Sequence, residues 1–397
     1  MALFLKYAVF FFAGLLLFAC APIGIQSAQA ATPAPKPKLE VSGWIPYWRA
    51  ATGTQDAFAH LDAFTEINPF GYSVKSDGTL YDAMKVHEEP WVSFIAAARA
   101  KKIRIIPTVM WGNGATIHKI LSNTETRINL EDSIAALVKG EGYDGIEIDF
   151  EAKYSKTRPY FSTFLKGLYQ RMGEKWVMCD IEARMPLSSR YTGTPPPDAT
   201  DYANDYVAIN KYCDRVKIMA YDQGHIDVLL NAANPLPYVP VADPKWVEKV
   251  VNLAAQTIAK RKIMIGIPTY GYEYSVKPTA AGYSYDVQWA FNQIYALDLA
   301  KQFNLTPVRN SAGELNITYF PAVPPPPDFN PLDLPVAEAQ TITPSNGTFN
   351  VAWWSDAQAI GEKVALAKKL GVRGVAIFKI DGGEDPKMWD ILQDLTK

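Results

Sequence analysis

Cysteine and histidine are scarce in this chain, with 3 Cys and 4 His among 397 residues. Cys20 lies in an N-terminal apolar stretch, so Cys179 and Cys213 alone are left for the folded part. That excludes a disulfide-dense scaffold and leaves at most one intramolecular bridge; two buried thiols are the plainer expectation. His60, His87, His118 and His225 are scattered, with no HExxH and no paired CxxC near them, so no metal or other cofactor is implied. An excess of one charge is also missing. With 39 Lys and Arg against 41 Asp and Glu, the net charge of -2 gives no clustered positive field for phosphates, which argues against nucleic acid as a partner. A neutral ligand fits better. The chain has 10 Trp and 21 Tyr, and such faces pack well on the apolar C–H surfaces of sugar rings, whose hydroxyls then need hydrogen bonds.

At the N-terminus Lys6 precedes the apolar run Tyr7 to Leu17, then small residues and Ala28-Gln29-Ala30. This is the pattern of a secretory signal over residues 1–30, cut before Ala31. The run is at the short end for a membrane-spanning helix. Leu17-Phe18-Ala19-Cys20 also resembles a bacterial lipobox, in which Cys20 would carry a lipid. The expected location is therefore secreted or cell envelope, with membrane contact only through such an anchor, and the expected state is a monomer. Residues 31–38, ATPAPKPK, read as an extended Pro- and Ala-rich spacer.

From Leu39 onward, apolar strand-like segments alternate with helical patterns. The strands are expected at Val41–Tyr47, Phe64–Val74, Ile103–Trp111, Gly145–Glu151, Trp176–Ala183, Val216–Tyr221, Ile263–Tyr270 and Val372–Ile380. Helices are expected at Pro90–Lys101, Leu130–Lys139, Arg158–Met172, Lys245–Lys260 and Ala357–Leu370, from apolar residues at spacings of three and four. Eight such alternations predict an α/β fold in which a parallel sheet closes into a (β/α)8 TIM barrel. The interval between the last two strands is too long for a loop. It contains a helical pattern over Tyr285–Phe303, the β-like Asn316-Ile317-Thr318-Tyr319 and the Pro-rich run Pro321–Pro335. We therefore expect a small α+β insertion subdomain at residues 273–349, with the barrel at 39–272 and 350–397.

The richest segment is Tyr143-Asp144-Gly145-Ile146-Glu147-Ile148-Asp149-Phe150-Glu151. Side chains alternate along a strand, so Glu147, Asp149 and Glu151 share one side while Ile146, Ile148 and Phe150 share the other. In a barrel the apolar set packs outward on the helices and the acids point inward, Glu151 nearest the C-terminal face where barrel enzymes hold their chemistry. Crowded carboxylates cannot all ionise cheaply, so at least one keeps a proton. A general acid needs that proton. A solvated acidic edge or a Ca²⁺ or Mg²⁺ site would use the same oxygens, but the flanking Ile and Phe make this a core strand.

Asp144 to Glu151 resembles the DGxDxDxE signature of glycoside hydrolase family 18, the chitinase family. Met219-Ala220-Tyr221-Asp222 resembles the family's M-x-Y-D, and Gly266 to Tyr272, GIPTYGY, its G-x-P-x-Y-G-R segment. Trp354 to Gln358 and Gly374 to Phe378 resemble its seventh helix and eighth strand. Asn68 to Val74, followed by Asp77-Gly78, is most similar to the bacterial spore-hydrolase branch, although LysM wall-binding repeats are absent. The resemblance implies a glycosidase acting on a polysaccharide with N-acetylhexosamine units, of the chitin or peptidoglycan type. It further implies substrate-assisted cleavage with retention: Glu151 as acid and base, Asp149 accepting the acetamido N–H and Tyr221 holding the acetyl oxygen. Glu147 departs from the usual Asp by one methylene and is expected to share a proton with Asp149. Phe378 stands where many members have a Trp floor. Asp144, Asp222, Trp111, Tyr270 and Tyr47 complete the expected substrate contacts, with Trp44 and Trp48 as further candidates to line subsites. A catalytically silent sugar-binding protein on the same barrel is the alternative.

Overall fold

A computed structural model describes residues 38–234, 236–280, 282–320 and 347–396. The expected signal, the lipobox, the spacer up to Pro37 and the run Pro321–Pro335 lie outside the described residues.

Eight parallel strands close on themselves. They are Glu40–Pro46, Glu66–Val74, Thr108–Trp111, Gly145–Phe150, Trp176–Glu182, Arg215–Met219, Ile263–Pro268 and Gly374–Phe378. The first strand pairs both with the second, where Ser42 faces Glu66, and with the eighth, where Glu40 faces Gly374, so neither edge is left open. Six strands lie within the regions expected for them, and the first and sixth each begin one residue earlier, at Glu40 and Arg215. Three redrawn ends bear on the site: the fourth strand stops at Phe150 and the sixth at Met219, short of Glu151 and Tyr221, and the seventh stops at Pro268 and leaves Tyr270 to a second sheet.

Apolar side chains at alternate positions of the strands face the helices. Ile146, Ile148 and Phe150 are buried, and Phe150 stacks on Phe164 of the helix Arg158–Met172 at 5.4 Å between ring centroids. The helix Ala357–Leu370 shows how chain chemistry sets element ends. Asp356 accepts a hydrogen bond from the Ala359 backbone N–H at its start, and Gly371 adopts a left-handed φ of 66° at its end. Cys179 and Cys213 are joined by a disulfide that ties the fifth strand to the segment entering the sixth, in place of the two buried thiols that were the plainer reading.

The interval between the last barrel strands forms a five-stranded antiparallel sheet. Its strands are Tyr270–Thr279, Gly282–Asn292, Val308–Arg309, Leu315–Tyr319 and Phe349–Trp354, and the helix Gln293–Gln302 packs against it. Tyr295, Leu299, Ile317, Tyr319 and Trp354 make its core. The helix expected over Tyr285–Phe303 is thus half strand. Tyr283, Tyr285, Val287, Trp289 and Phe291 recur every second residue, the strand period, and this outweighs the helical spacing up to Asn292.

Candidate active site

Inward-facing positions of neighbouring strands stack in layers along the barrel axis. In the lower layer Glu147 is completely buried. Its Oε2 accepts hydrogen bonds from Trp44 Nε1 at 2.6 Å and Thr108 Oγ1 at 2.5 Å, and its Oε1 is ion-paired with Lys217. Lys217 is also completely buried and lies 3.3 Å from Glu66. One layer up, Asp149 is 5% exposed and Asp180 3%. Beyond the strand's end Glu151 stands exposed at the rim, its backbone N–H held 2.9 Å from the Trp111 carbonyl.

A cavity of about 280 Å³ opens at this end of the barrel. Asp149, Asp180, Glu151, Tyr221 and Asp222 supply its polar lining, and Trp44, Trp48, Phe70, Met110, Trp111 and Phe378 its apolar walls. Phe378 lies nearly parallel to Tyr221, with centroids 5.5 Å and planes 14° apart, and meets the Trp44 edge at 5.7 Å. The Phe378–Lys379 peptide bond is cis. Gly266 leaves the room Tyr221 needs, because a Cβ there would come within 2.9 Å of the Tyr221 ring. Asp222 has a left-handed φ of 58° and accepts hydrogen bonds from Tyr270 Oη at 2.6 Å and Tyr272 Oη at 2.9 Å.

The electrostatics follow from crowding. Burial, then the charges of Glu151 and Glu147, push the Asp149 carboxyl well above the usual carboxylate range. Asp180 is pushed up in the same direction by burial and by Glu147 and Asp149. Although Glu151 is exposed as a residue, enclosure of its carboxyl by the pocket wall and the nearby Glu182 raise it too. Lys153, with its side chain buried and 3.6 Å from Glu182, acts on Asp149 and Glu151 from the rim, and burial lowers its affinity for a proton. Burial also raises the Tyr221 hydroxyl well above its ordinary value, so it is a hydrogen-bond donor at any physiological pH.

The structure gathers Glu151, Asp149, Tyr221, Asp222, Trp111 and Phe378 around one cavity, as expected. It places others elsewhere. Asp144 sits at the opposite end of the barrel, where its carboxylate accepts the Ile105 backbone N–H at 2.8 Å, so it cannot reach a ligand at the mouth. Tyr47 is set back from the cavity and meets the edge of Trp48, which takes the lining position. Tyr270 touches the site through Asp222 rather than lining the cavity. Glu147 is turned to Lys217, Trp44 and Thr108 instead of sharing a proton with Asp149: its extra methylene carries the carboxylate to a cation. Sequence reasoning missed Asp180 and Lys217. The strand alternation that singled out Glu147 and Asp149 applies equally to Met178-Cys179-Asp180 and to Lys217-Ile218-Met219-Ala220-Tyr221, and would have put both inside the barrel.

A closed parallel barrel with carboxyl groups converging on an aromatic-walled cavity at its C-terminal mouth is the architecture of a glycoside-cleaving enzyme. The chain belongs to glycoside hydrolase family 18: the model of that family, Glycosyl hydrolases family 18, matches residues 44–383. The uncharacterized glycosylase YvbX of Bacillus subtilis is 24% identical over 285 residues, 72% of this chain and 71% of that one. Among solved structures, the spore cortex-lytic enzyme SleL of Bacillus cereus aligns with a TM-score of 0.67 at 19% identity, over 90% of this chain and 74% of that one. A class V chitinase from Pseudomonas fluorescens Pf-5 gives 0.69 at 20% identity, over 90% of this chain and all of that one. The chain is thus a glycosidase, and proteins of its family bind polysaccharides containing N-acetylglucosamine.

Proposed function

We propose that this glycosidase cleaves β-1,4 bonds of an N-acetylglucosamine-containing polysaccharide, of the chitin or peptidoglycan type, with retention of configuration and with the substrate's own acetamide as nucleophile. The observation that carries this reading is the placement of Glu151 at the open mouth beside a buried Asp149 and a buried Tyr221 hydroxyl on one cavity. Glu151, raised by enclosure, protonates the leaving glycosidic oxygen while the acetamido oxygen attacks C1 and forms an oxazolinium ion. Asp149 accepts the acetamido N–H and balances the positive charge; the Tyr221 hydroxyl donates to the acetyl oxygen and holds it in line. Glu151 then returns as base toward water. Phe378 forms the apolar floor for the sugar, with less area than an indole would give.

The solved relatives named for spore cortex and for chitin support an N-acetylated polymer as the substrate class. The Cys179–Cys213 disulfide, together with the signal-like residues 1–30, supports export to an oxidising envelope or extracellular space, either free after a cut before Ala31 or held by a lipid on Cys20. The test is hydrolysis of a fluorogenic N-acetylglucosamine oligomer: Glu151→Gln should reduce kcat by about 10³-fold or more while the protein still binds the oligomer. Equal rates for the two proteins would overturn Glu151 as the acid, and no hydrolysis by either would leave a sugar-binding protein. An inverted anomer in the first product would equally overturn substrate assistance.

A further inference from the structure

The upper layer of the barrel contains one carboxyl more than the proposed mechanism uses. The fourth and fifth strands run in register, Glu147 beside Met178 and Ile148 beside Cys179, so the next step along the ladder sets Asp149 beside Asp180. Adjacent parallel strands lie roughly 4.8 Å apart, and both side chains point inward, which makes the two carboxyls immediate neighbours. Both line the same cavity, both are more than nine-tenths buried, and each has an Oδ1 without a hydrogen-bond partner among the described residues. The charge of Glu147 in the layer below also acts on Asp180.

Glu147 itself is not free to take a proton. Lys217 pairs with it, and Trp44 and Thr108 donate to its other oxygen. Glu66 shares Lys217 from the second strand and has Arg104 at 3.2 Å on its outer side. The lower layer is therefore charge-compensated, whereas among the described residues no cation is ion-paired with Asp149 or Asp180; Lys153 is held against Glu182. Two neighbouring buried carboxyls above a fixed anion ionise in turn rather than together.

We propose that Asp180 is a positioning residue that holds the proton Asp149 must give up, while Lys217 keeps Glu147 as an anion outside that exchange. When a substrate acetamide docks, the O–H bond on Asp149 breaks and one forms on Asp180. Asp149 is left anionic to receive the amide N–H, and no other reactant is involved. Asp180 thus takes the proton-sharing role that the sequence pattern assigns to the residue at 147. The groups facing this pair are Glu147 and Glu151 on the same strand or its end, Glu182 and Lys153 at the rim, Tyr221, and Lys217 below.

This inference rests on the reading of Asp149 as the acetamide acceptor. The experiment is a pH series of kcat and KM on a fluorogenic N-acetylglucosamine oligomer for wild type, Asp180→Asn, Asp149→Asn and Glu151→Gln, with folding of each checked by thermal melting. For Asp180→Asn we expect kcat to fall about tenfold with KM changed less than about twofold, and the acid limb to move to lower pH because a neighbouring acid is gone. An unchanged limb and wild-type kcat in a folded Asp180→Asn protein, with Asp149→Asn and Glu151→Gln inactive, overturns this inference alone. Activity retained by the latter two overturns the mechanism beneath it. Should Asp180→Asn fail to fold, carboxyl-carbon NMR of wild type labelled at aspartate decides: joint, two-step titration of two interior aspartates supports the pair, and independent one-step curves reject it.

Discussion

Glu147 shows how one methylene redirects a side chain. An aspartate at that position would end short, near Asp149; the longer glutamate reaches Lys217 and leaves Asp149 next to Asp180. Lys217 is completely buried between two equally buried glutamates, Glu66 and Glu147. Lys217→Met should destabilise the fold by about 3–5 kcal/mol, since it leaves carboxylates in the interior without a counter-charge. Urea unfolding followed by tryptophan fluorescence would measure it, and a loss below about 1 kcal/mol would mean that the barrel interior takes in water to solvate them. Tyr221 presents a separate test. Tyr221→Phe keeps the stack on Phe378 but deletes the donor to the acetyl oxygen, so kcat should fall about 10- to 100-fold with little loss of oligomer binding. Isothermal titration beside kinetics separates the two effects.

At the scale of elements, strands were legible wherever apolar runs were flanked by turns, and each of the eight barrel strands overlaps its expected region. The helices Arg158–Met172 and Ala357–Leu370 match residue for residue. The segment 285–292 reads as helix because its aromatics also satisfy parts of a helical spacing, and the long strand forms only through pairing with Tyr270–Thr279. The pairing of Cys179 with Cys213 was likewise open in the sequence: two thiols 34 residues apart meet because the fifth and sixth strands are neighbours in the barrel. Replacing both by alanine should lower stability by about 2–4 kcal/mol. Wild type in reductant should show the same loss, and equal midpoints for oxidised wild type and the double variant would show that the bridge contributes nothing.

For the molecule as a whole, the end of the barrel opposite the cavity is closed by charge. Glu40 accepts hydrogen bonds from Arg215 at 2.6 and 2.9 Å and from Arg373 at 2.7 Å, with Arg104 at 3.6 Å, and Trp176 lies against both Arg104 and Arg215. Burial alone would raise the Glu40 carboxyl, but these guanidinium groups overcome it and hold it at about 2. Because this carboxyl is depressed in the folded state, its contribution is complete above the usual carboxylate range and is lost as pH falls toward about 2. Glu40→Gln should therefore cost about 2–3 kcal/mol at neutral pH, and the difference from wild type should vanish in strong acid. Melting curves from pH 7 down to pH 2 check this, and a difference independent of pH would assign Glu40 a packing role instead.

The sequence by itself determined the barrel, through the alternation of apolar strands and amphipathic helices, and the inward acids, through a period of two along one strand. Those are properties of consecutive residues, so they can be read from a string of letters. Only the tertiary structure decided which carboxyl neighbours which: Glu147 with Lys217, Asp149 with Asp180, Asp222 with Tyr270, and Asp144 at the far end. Charge pairing in a barrel interior depends on the register between strands far apart in sequence. Side-chain reach then settles each partner to within an ångström or two.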